Sequence, residues 1–301
     1  MAYLLNSQEG NTMVNFEKDL KEYEKLFPNQ MKIIDGVKFE YRFAGNGEKT
    51  IVLLVGGLGM SDALYNHARE FAKDFRVLLF DYPLNFKNNE VLADGIASLI
   101  RELDLGKVAL IGQSYGGFIA QVIASRHKEI VGEMVLSNTG CMTEEIDEND
   151  MKSIYAMLNK IKKVKWITRI IPVALLRKKF IKRSMQYLKE CTNEERQYMH
   201  DLFKLMFGRL TNKGERHMCE LMLDLINIRN SSKDFSYLDG KVLLILSKDD
   251  ETFSEAIKQG LVNLMPNPKV CYDLSGGHLT MFLKIDTYIS MVKRFINDHN
   301  K

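Results

Sequence analysis

Cysteine, proline and tryptophan are scarce in this chain of 301 residues, and each scarcity removes a class of protein. The four cysteines, Cys141, Cys191, Cys219 and Cys271, are scattered without a Cys-x-x-Cys pair, which speaks against a zinc site or a disulfide scaffold and for reduced, packed thiols. Five prolines, in a chain that is 46% apolar, exclude a fibrous or disordered polymer and leave material for a large core. The formal net charge is only +3, so no nucleic-acid partner is expected. No apolar stretch is long enough to span a bilayer. Residues 1 to 13 lack the basic start and the apolar run of a signal peptide, so a soluble, cytoplasmic protein is expected.

What is present is an alternation of two periods. Phe16, Leu20, Tyr23 and Phe27 recur at helical spacing and predict an N-terminal helix lying on the outside of the domain. Met31 to Ile34, a turn at Asp35-Gly36 and the alternating Val37, Phe39, Tyr41 and Phe43 predict a β-hairpin with one solvated face. Short apolar runs then follow at 50–55, 75–80, 107–111, 131–137, 241–246 and 269–274, separated by amphipathic helical stretches such as Leu92, Ile96, Leu99, Ile100 and Leu103. Strands buried on both faces read this way, so the expected fold is α/β, with a mostly parallel central sheet and helices on both faces. A last helix carries Phe282, Ile285, Ile289, Val292 and Ile296 on one face. Residues 142–238 break the alternation and read as helices throughout. They predict a helical cap inserted between an N-terminal part of the core, 1–141, and a C-terminal part, 239–301.

The chemistry gathers at the ends of those runs, where open parallel sheets bind ligands. Ser114 is the centre of Gly112-Gln-Ser-Tyr-Gly116, directly after one apolar run and before the helical Phe118–Ala124. A serine at a strand-to-helix turn is forced into a strained backbone conformation, tolerable only when the residues two before and two after lack side chains. A Gly-x-Ser-x-Gly match alone arises by accident in roughly one chain in ten of this length. Here Asp249-Asp250 and Gly276-Gly277-His278 follow later runs in the order serine, acid, histidine, and Gly56-Gly57-Leu58-Gly59 follows an earlier one. Histidine can take the serine proton near neutrality, and an acid holds the imidazole tautomer.

These motifs resemble the α/β-hydrolase fold superfamily over nearly all of the chain outside the cap and the N-terminal helix. Phe80-Asp-Tyr-Pro83, Gly112–Gly117 and Leu136-Ser-Asn-Thr139 also resemble a maspardin-like branch. The resemblance implies Ser114 as nucleophile, His278 as base and Asp250, three residues beyond Ser247, as the acid. It also implies an oxyanion hole built from the backbone amide of Tyr115 and one from the Gly57-Leu58 turn. The sequence departs from the family at Val55, where a histidine commonly precedes the glycine pair, and at Asp81–Phe86, which replaces an Arg-Gly pattern.

Asp249 is the alternative acid, one aspartate orienting the imidazole while its neighbour caps the following helix. Asn138 cannot carry a relocated charge, Asp81 reads as a turn residue and Asp273 as a solvated strand position. His67, His127, His200, His217 and His299 read as surface or packing residues. The expected activity is hydrolysis of a small-molecule ester or thioester with an apolar acyl group, with no metal or organic cofactor. The alternatives are peptide or carbon–carbon bond hydrolysis on the same triad, or a non-catalytic maspardin-like adaptor; oligomeric state is not legible. One feature lies outside this chemistry: from Met151 to Lys189 there are twelve Lys or Arg and no Asp or Glu, interleaved with Trp166, Ile170 and Leu175. It reads as a solvated helix face roofing the site, or as a contact with anionic membrane.

Overall fold

The apolar runs of period two and the amphipathic stretches of period 3.6 separate into a sheet and its covering layers. In a computed structural model that describes residues 15–143, 148–188 and 191–298, eight strands form one sheet: β1 (Asn29–Ile34), β2 (Val37–Ala44), β3 (Thr50–Leu54), β4 (Arg76–Phe80), β5 (Val108–Gln113), β6 (Val131–Ser137), β7 (Val242–Ile245) and β8 (Lys269–Cys271). Their spatial order is β1-β2-β4-β3-β5-β6-β7-β8. β2 pairs antiparallel with β1 and β4, and all other pairs are parallel. Every residue of β3 and of β7 is buried, which is why those runs show no alternation. The hairpin does alternate, with Phe39 and Tyr41 buried and Lys38 and Glu40 exposed. Asp35 and Gly36 at its tip have φ of 48° and 77°, the left-handed pair that a two-residue hairpin turn requires.

The α-helices are α1 (Phe16–Leu26), α2 (Tyr65–Phe71), α3 (Asn89–Glu102), α4 (Tyr115–Arg126), α5 (Glu148–Ile170), α6 (Val173–Ser184), α7 (Asn193–Arg209), α8 (Asn212–Asp224), α9 (Ser232–Phe235), α10 (Glu255–Leu264), α11 (Thr280–Leu283) and α12 (Ile285–Asp298). Two groups cover the sheet: α2 packs with α1 and α12, while α3, α4, α9 and α10 pack in succession. Among the described residues between β6 and β7 there are only helices and one isolated bridge, Thr143 to Asn230. α8 lies against the turn that follows β3, where Met222 and Met218 approach Gly57 and Gly59, and it is tied to the core by Asn89 at the start of α3, which donates to the Leu221 carbonyl and to Asp224 and accepts from the Tyr115 hydroxyl at the start of α4.

The structure differs from the sequence reading in four places. The segment 232–238, read as the end of the insertion, belongs to the core: Phe235 and Leu238 are fully buried, and the Tyr237 hydroxyl donates to the Ala124 carbonyl of α4. The N-terminal helix is not merely an outer layer but a brace between core and cap. Phe16 packs edge-on to both Tyr65 of α2 and Tyr198 of α7, and Asp19 pairs with Arg69. The final strand stops at Cys271, so Asp273 lies in the irregular chain that leads to His278. The last helical stretch is broken at Lys284, whose φ and ψ of −117° and 42° separate α11 from α12. Residues 1–13, Lys189 and His299 lie outside the described residues.

Candidate active site

Ser114 joins β5 to α4 with φ 54° and ψ −123°, a conformation disfavoured for any residue bearing a Cβ. The neighbouring glycines permit it. A Cβ on Gly112 would stand 2.3 Å from the Gly116 carbonyl oxygen, and one on Gly116 would stand 2.2 Å from that of Leu54. No room exists for either, so the sequence motif is a steric requirement of this turn. The Ser114 carbonyl is fastened by the Thr139 hydroxyl at 2.7 Å and the Gly117 amide at 3.0 Å. Its hydroxyl makes no helix-capping bond. It lies instead 2.9 Å from His278 Nε2.

His278 sits in a short 3-10 turn, Gly277–Leu279, beyond β8, and its Nδ1 is 2.9 Å from Asp250 Oδ2. With the proton on Nδ1, where a carboxylate partner holds it, Nε2 is left as acceptor for the serine. Asp250 is 3% exposed. Burial by itself would raise its carboxyl, but the bond and charge of His278 and the bonds from Thr252 outweigh it and hold the group below its ordinary value. The carboxylate is therefore charged at neutral pH.

The turn carrying the histidine is fixed from several sides by groups in roles the sequence reading did not assign. Asp249 does not cap the following helix, which Ser254 caps; its Oδ2 accepts the Gly276 and Gly277 amides, each at 2.9 Å. The Gln113 side chain donates to the His278 carbonyl at 2.9 Å, and Asn138 donates to that of Gly277 at 2.7 Å. These are polar side chains reaching backbone groups, and no residue pattern announces such bonds. Asp81, read as a turn residue, instead accepts both the amide and the hydroxyl of Ser61 on a separate segment. His67 and His217 are buried and bonded to the carbonyls of Met281 and Phe86, while His127 and His200 face carboxylates away from Ser114.

The Gly56–Gly59 turn, closed by a Gly59 amide to Gly56 carbonyl bond of 2.9 Å, lies alongside the serine. A Cβ on Gly56 would be 3.9 Å from Ser114 Cβ, and one on Gly57 would meet Met222 Sδ of the cap at 3.3 Å. The Gly56 end of this turn thus approaches Ser114, and Tyr115 follows Ser114 as the first residue of α4.

Residues 49–285 match the family model for the alpha/beta hydrolase fold. The chain belongs to the α/β-hydrolase family. Among sequence relatives, an uncharacterised protein of Mycobacterium tuberculosis is 27% identical over 147 residues, 45% of this chain and 42% of that protein. A 2-hydroxy-6-oxononadienedioate/2-hydroxy-6-oxononatrienedioate hydrolase of Pseudomonas putida is 32% identical over 133 residues, 39% of this chain and 47% of that one. The chain thus spans less than half the length of these curated relatives. Among solved structures, the enol-lactonase of Burkholderia xenovorans LB400 superposes with a TM-score of 0.68 at 18% identity, covering 89% of this chain and all of that one. That likeness speaks to the fold.

Two large hollows flank the site. One, of about 550 Å³, is bounded by Asp250 and His278 below and by Gln186, Cys191 and Glu195 of the cap region above. The other, of about 460 Å³, lies beyond the Leu58-Gly59 turn under Arg209 and Met218; Ser114 lines neither hollow. A smaller, apolar recess bounded by Phe118, Met142, Leu158, Leu225 and Phe253 reaches the acid loop through Thr252. Phe253 also packs against the His278 ring, with centroids 6.2 Å apart.

Proposed function

We propose that this α/β hydrolase is a serine hydrolase cleaving a carboxylic ester or thioester with an apolar acyl group. The observation that carries the reading is the unbroken chain of hydrogen bonds from Ser114 through His278 to a buried, ionised Asp250. Ser114 Oγ attacks the carbonyl carbon while its proton passes to His278 Nε2. The imidazolium is stabilised by Asp250 and then gives that proton to the departing alkoxide or thiolate, leaving an acyl-enzyme. Water, deprotonated by the same nitrogen, attacks the acyl carbon and restores Ser114. The negative oxygen of each tetrahedral state is held by the Tyr115 amide and by that of Gly57 or Leu58, at the positive end of α4. Met222, Phe253 and the recess lined by Phe118 and Leu225 favour an apolar acyl group.

Turnover of chromogenic esters graded by acyl length tests the proposal. Hydrolysis in the wild type that disappears in Ser114→Ala is the expected result, and undiminished hydrolysis in that variant removes the assignment. A carbon–carbon bond hydrolase is the second reading, favoured by the Pseudomonas putida relative. Assay of 2-hydroxy-6-oxononadienedioate beside the ester panel separates the two. A non-catalytic adaptor would leave every substrate untouched and its serine unlabelled by a fluorophosphonate.

A further inference from the structure

Four large apolar side chains that water disfavours stand within one elbow of the cap: Trp166 (62% exposed), Ile170 (64%), Ile171 (38%) and Leu175 (74%). Elsewhere among the described residues such exposure is dispersed, with Leu26, Val91, Tyr155 and Tyr272 alone and Met31 and Ile33 sharing an edge strand. The elbow is not a loose tip. Asn212 at the start of α8 donates to the carbonyls of Thr168 and Ile171 and accepts the Val173 amide, and Arg216 donates again to Thr168. α5 therefore ends and α6 begins at a fixed angle, presenting the apolar residues outward.

Cations surround them. Lys162 and Arg169 lie one helical turn either side of Trp166, and Lys178 and Lys179 one turn beyond Leu175; all are exposed. Lys165 reaches Glu220, but none of those four pairs with a described carboxylate. A rigid apolar knuckle ringed by unneutralised positive charge is the composition of an interfacial anchor, in which apolar side chains enter the acyl boundary while lysines meet anionic headgroups.

We propose that the α5–α6 elbow docks this protein on an anionic lipid bilayer. A second copy of the chain is a poor occupant, because the same face would set cations against cations. A nucleic acid matches the charge but offers nothing to Ile170, Ile171 and Leu175. The proposal is independent of the catalytic reading, since it concerns binding alone.

Trp166 is the one tryptophan in the chain, so its fluorescence reports on this elbow and nothing else. The test titrates the full chain at low salt with vesicles of phosphatidylcholine containing about 30% phosphatidylserine, and in parallel with phosphatidylcholine alone. The expected result is a blue shift of the emission with the anionic vesicles, reversed by raising the salt. Lys178→Ala and Lys179→Ala should each weaken binding about fivefold, the equivalent of about 1 kcal/mol per lysine near the surface. Leu175→Ser, exposed and so harmless to the fold, should weaken it with the reporter intact. Unchanged emission with anionic vesicles overturns the proposal, as does an equal shift with phosphatidylcholine alone. A shift with single-stranded RNA and none with vesicles overturns it in favour of a nucleic-acid surface.

Discussion

Replacing Asp250 by asparagine is the perturbation whose consequence the geometry defines best. The carboxylate accepts from His278 Nδ1 through Oδ2 and from the Thr252 amide through Oδ1, each at 2.9 Å. An asparagine has one acceptor for those two donors. If its oxygen stays with Thr252, its amino group faces Nδ1 and forces the tautomer with the proton on Nε2, where it blocks transfer from Ser114. If the amide turns over, the useful tautomer returns but two donors meet in a buried site, at about 1–3 kcal/mol. At about 2 kcal/mol only one molecule in roughly thirty holds the useful arrangement. Loss of the charge that stabilises the imidazolium removes a similar amount again, so kcat should fall on the order of 10³-fold. Asp249→Asn is the control: its amide oxygen can still receive the Gly276 and Gly277 amides, and activity should stay within about tenfold. Ester turnover and thermal midpoints of both variants make the assay. An Asp250→Asn enzyme within tenfold of wild type, or an equal loss in Asp249→Asn, would refute the reasoning.

Three further outcomes follow from particular contacts. Gly112→Ala, whose methyl would stand 2.3 Å from the Gly116 carbonyl oxygen, should cost at least about 2 kcal/mol and disable the elbow, read by urea unfolding. Asn89→Ala strands the Tyr115 hydroxyl and the Leu221 carbonyl between core and cap; a loss of about 3 kcal/mol is expected, and stability like wild type would contradict the bracing role. Burial pushes the His67 imidazole down to about 4, against the bond to the Met281 carbonyl. The unfolded chain takes up that proton near 6.5, so this stability is fully present above about 6.5 and is lost as pH falls towards 4, by about 3 kcal/mol in all. Urea midpoints that fall with pH in the wild type, and fall less in His67→Gln, are the expected pattern.

The legible and illegible parts of this molecule divide along a physical line. Buried parallel strands must be apolar on both faces, so Thr50–Leu54 and Val242–Ile245 announce themselves in composition. The elbow is equally plain, because 2.2–2.3 Å approaches admit no side chain at Gly112 or Gly116. A serine, an aspartate and a histidine beyond the ends of β5, β7 and β8 can be read because each type is fitted to its chemistry. Asp249, Gln113, Asn138 and Thr139 escape that reading, since all four bond backbone groups that carry no residue signature. The return of residues 232–238 to the core was hidden for another reason. Phe235 and Leu238 look the same whether a helix faces a cap or a sheet, and only the tertiary partner decides.

The central claim is that the hydroxyl of Ser114, activated by His278, is the group that attacks. Reaction of the purified full chain with a fluorophosphonate, followed by peptide mass analysis, tests it most directly. A single adduct on the peptide containing Ser114, absent in Ser114→Ala and slowed at least a hundredfold, to order of magnitude, in His278→Ala, is what the geometry predicts. An unmodified Ser114 peptide, or labelling that proceeds at the wild-type rate without the histidine, would contradict it.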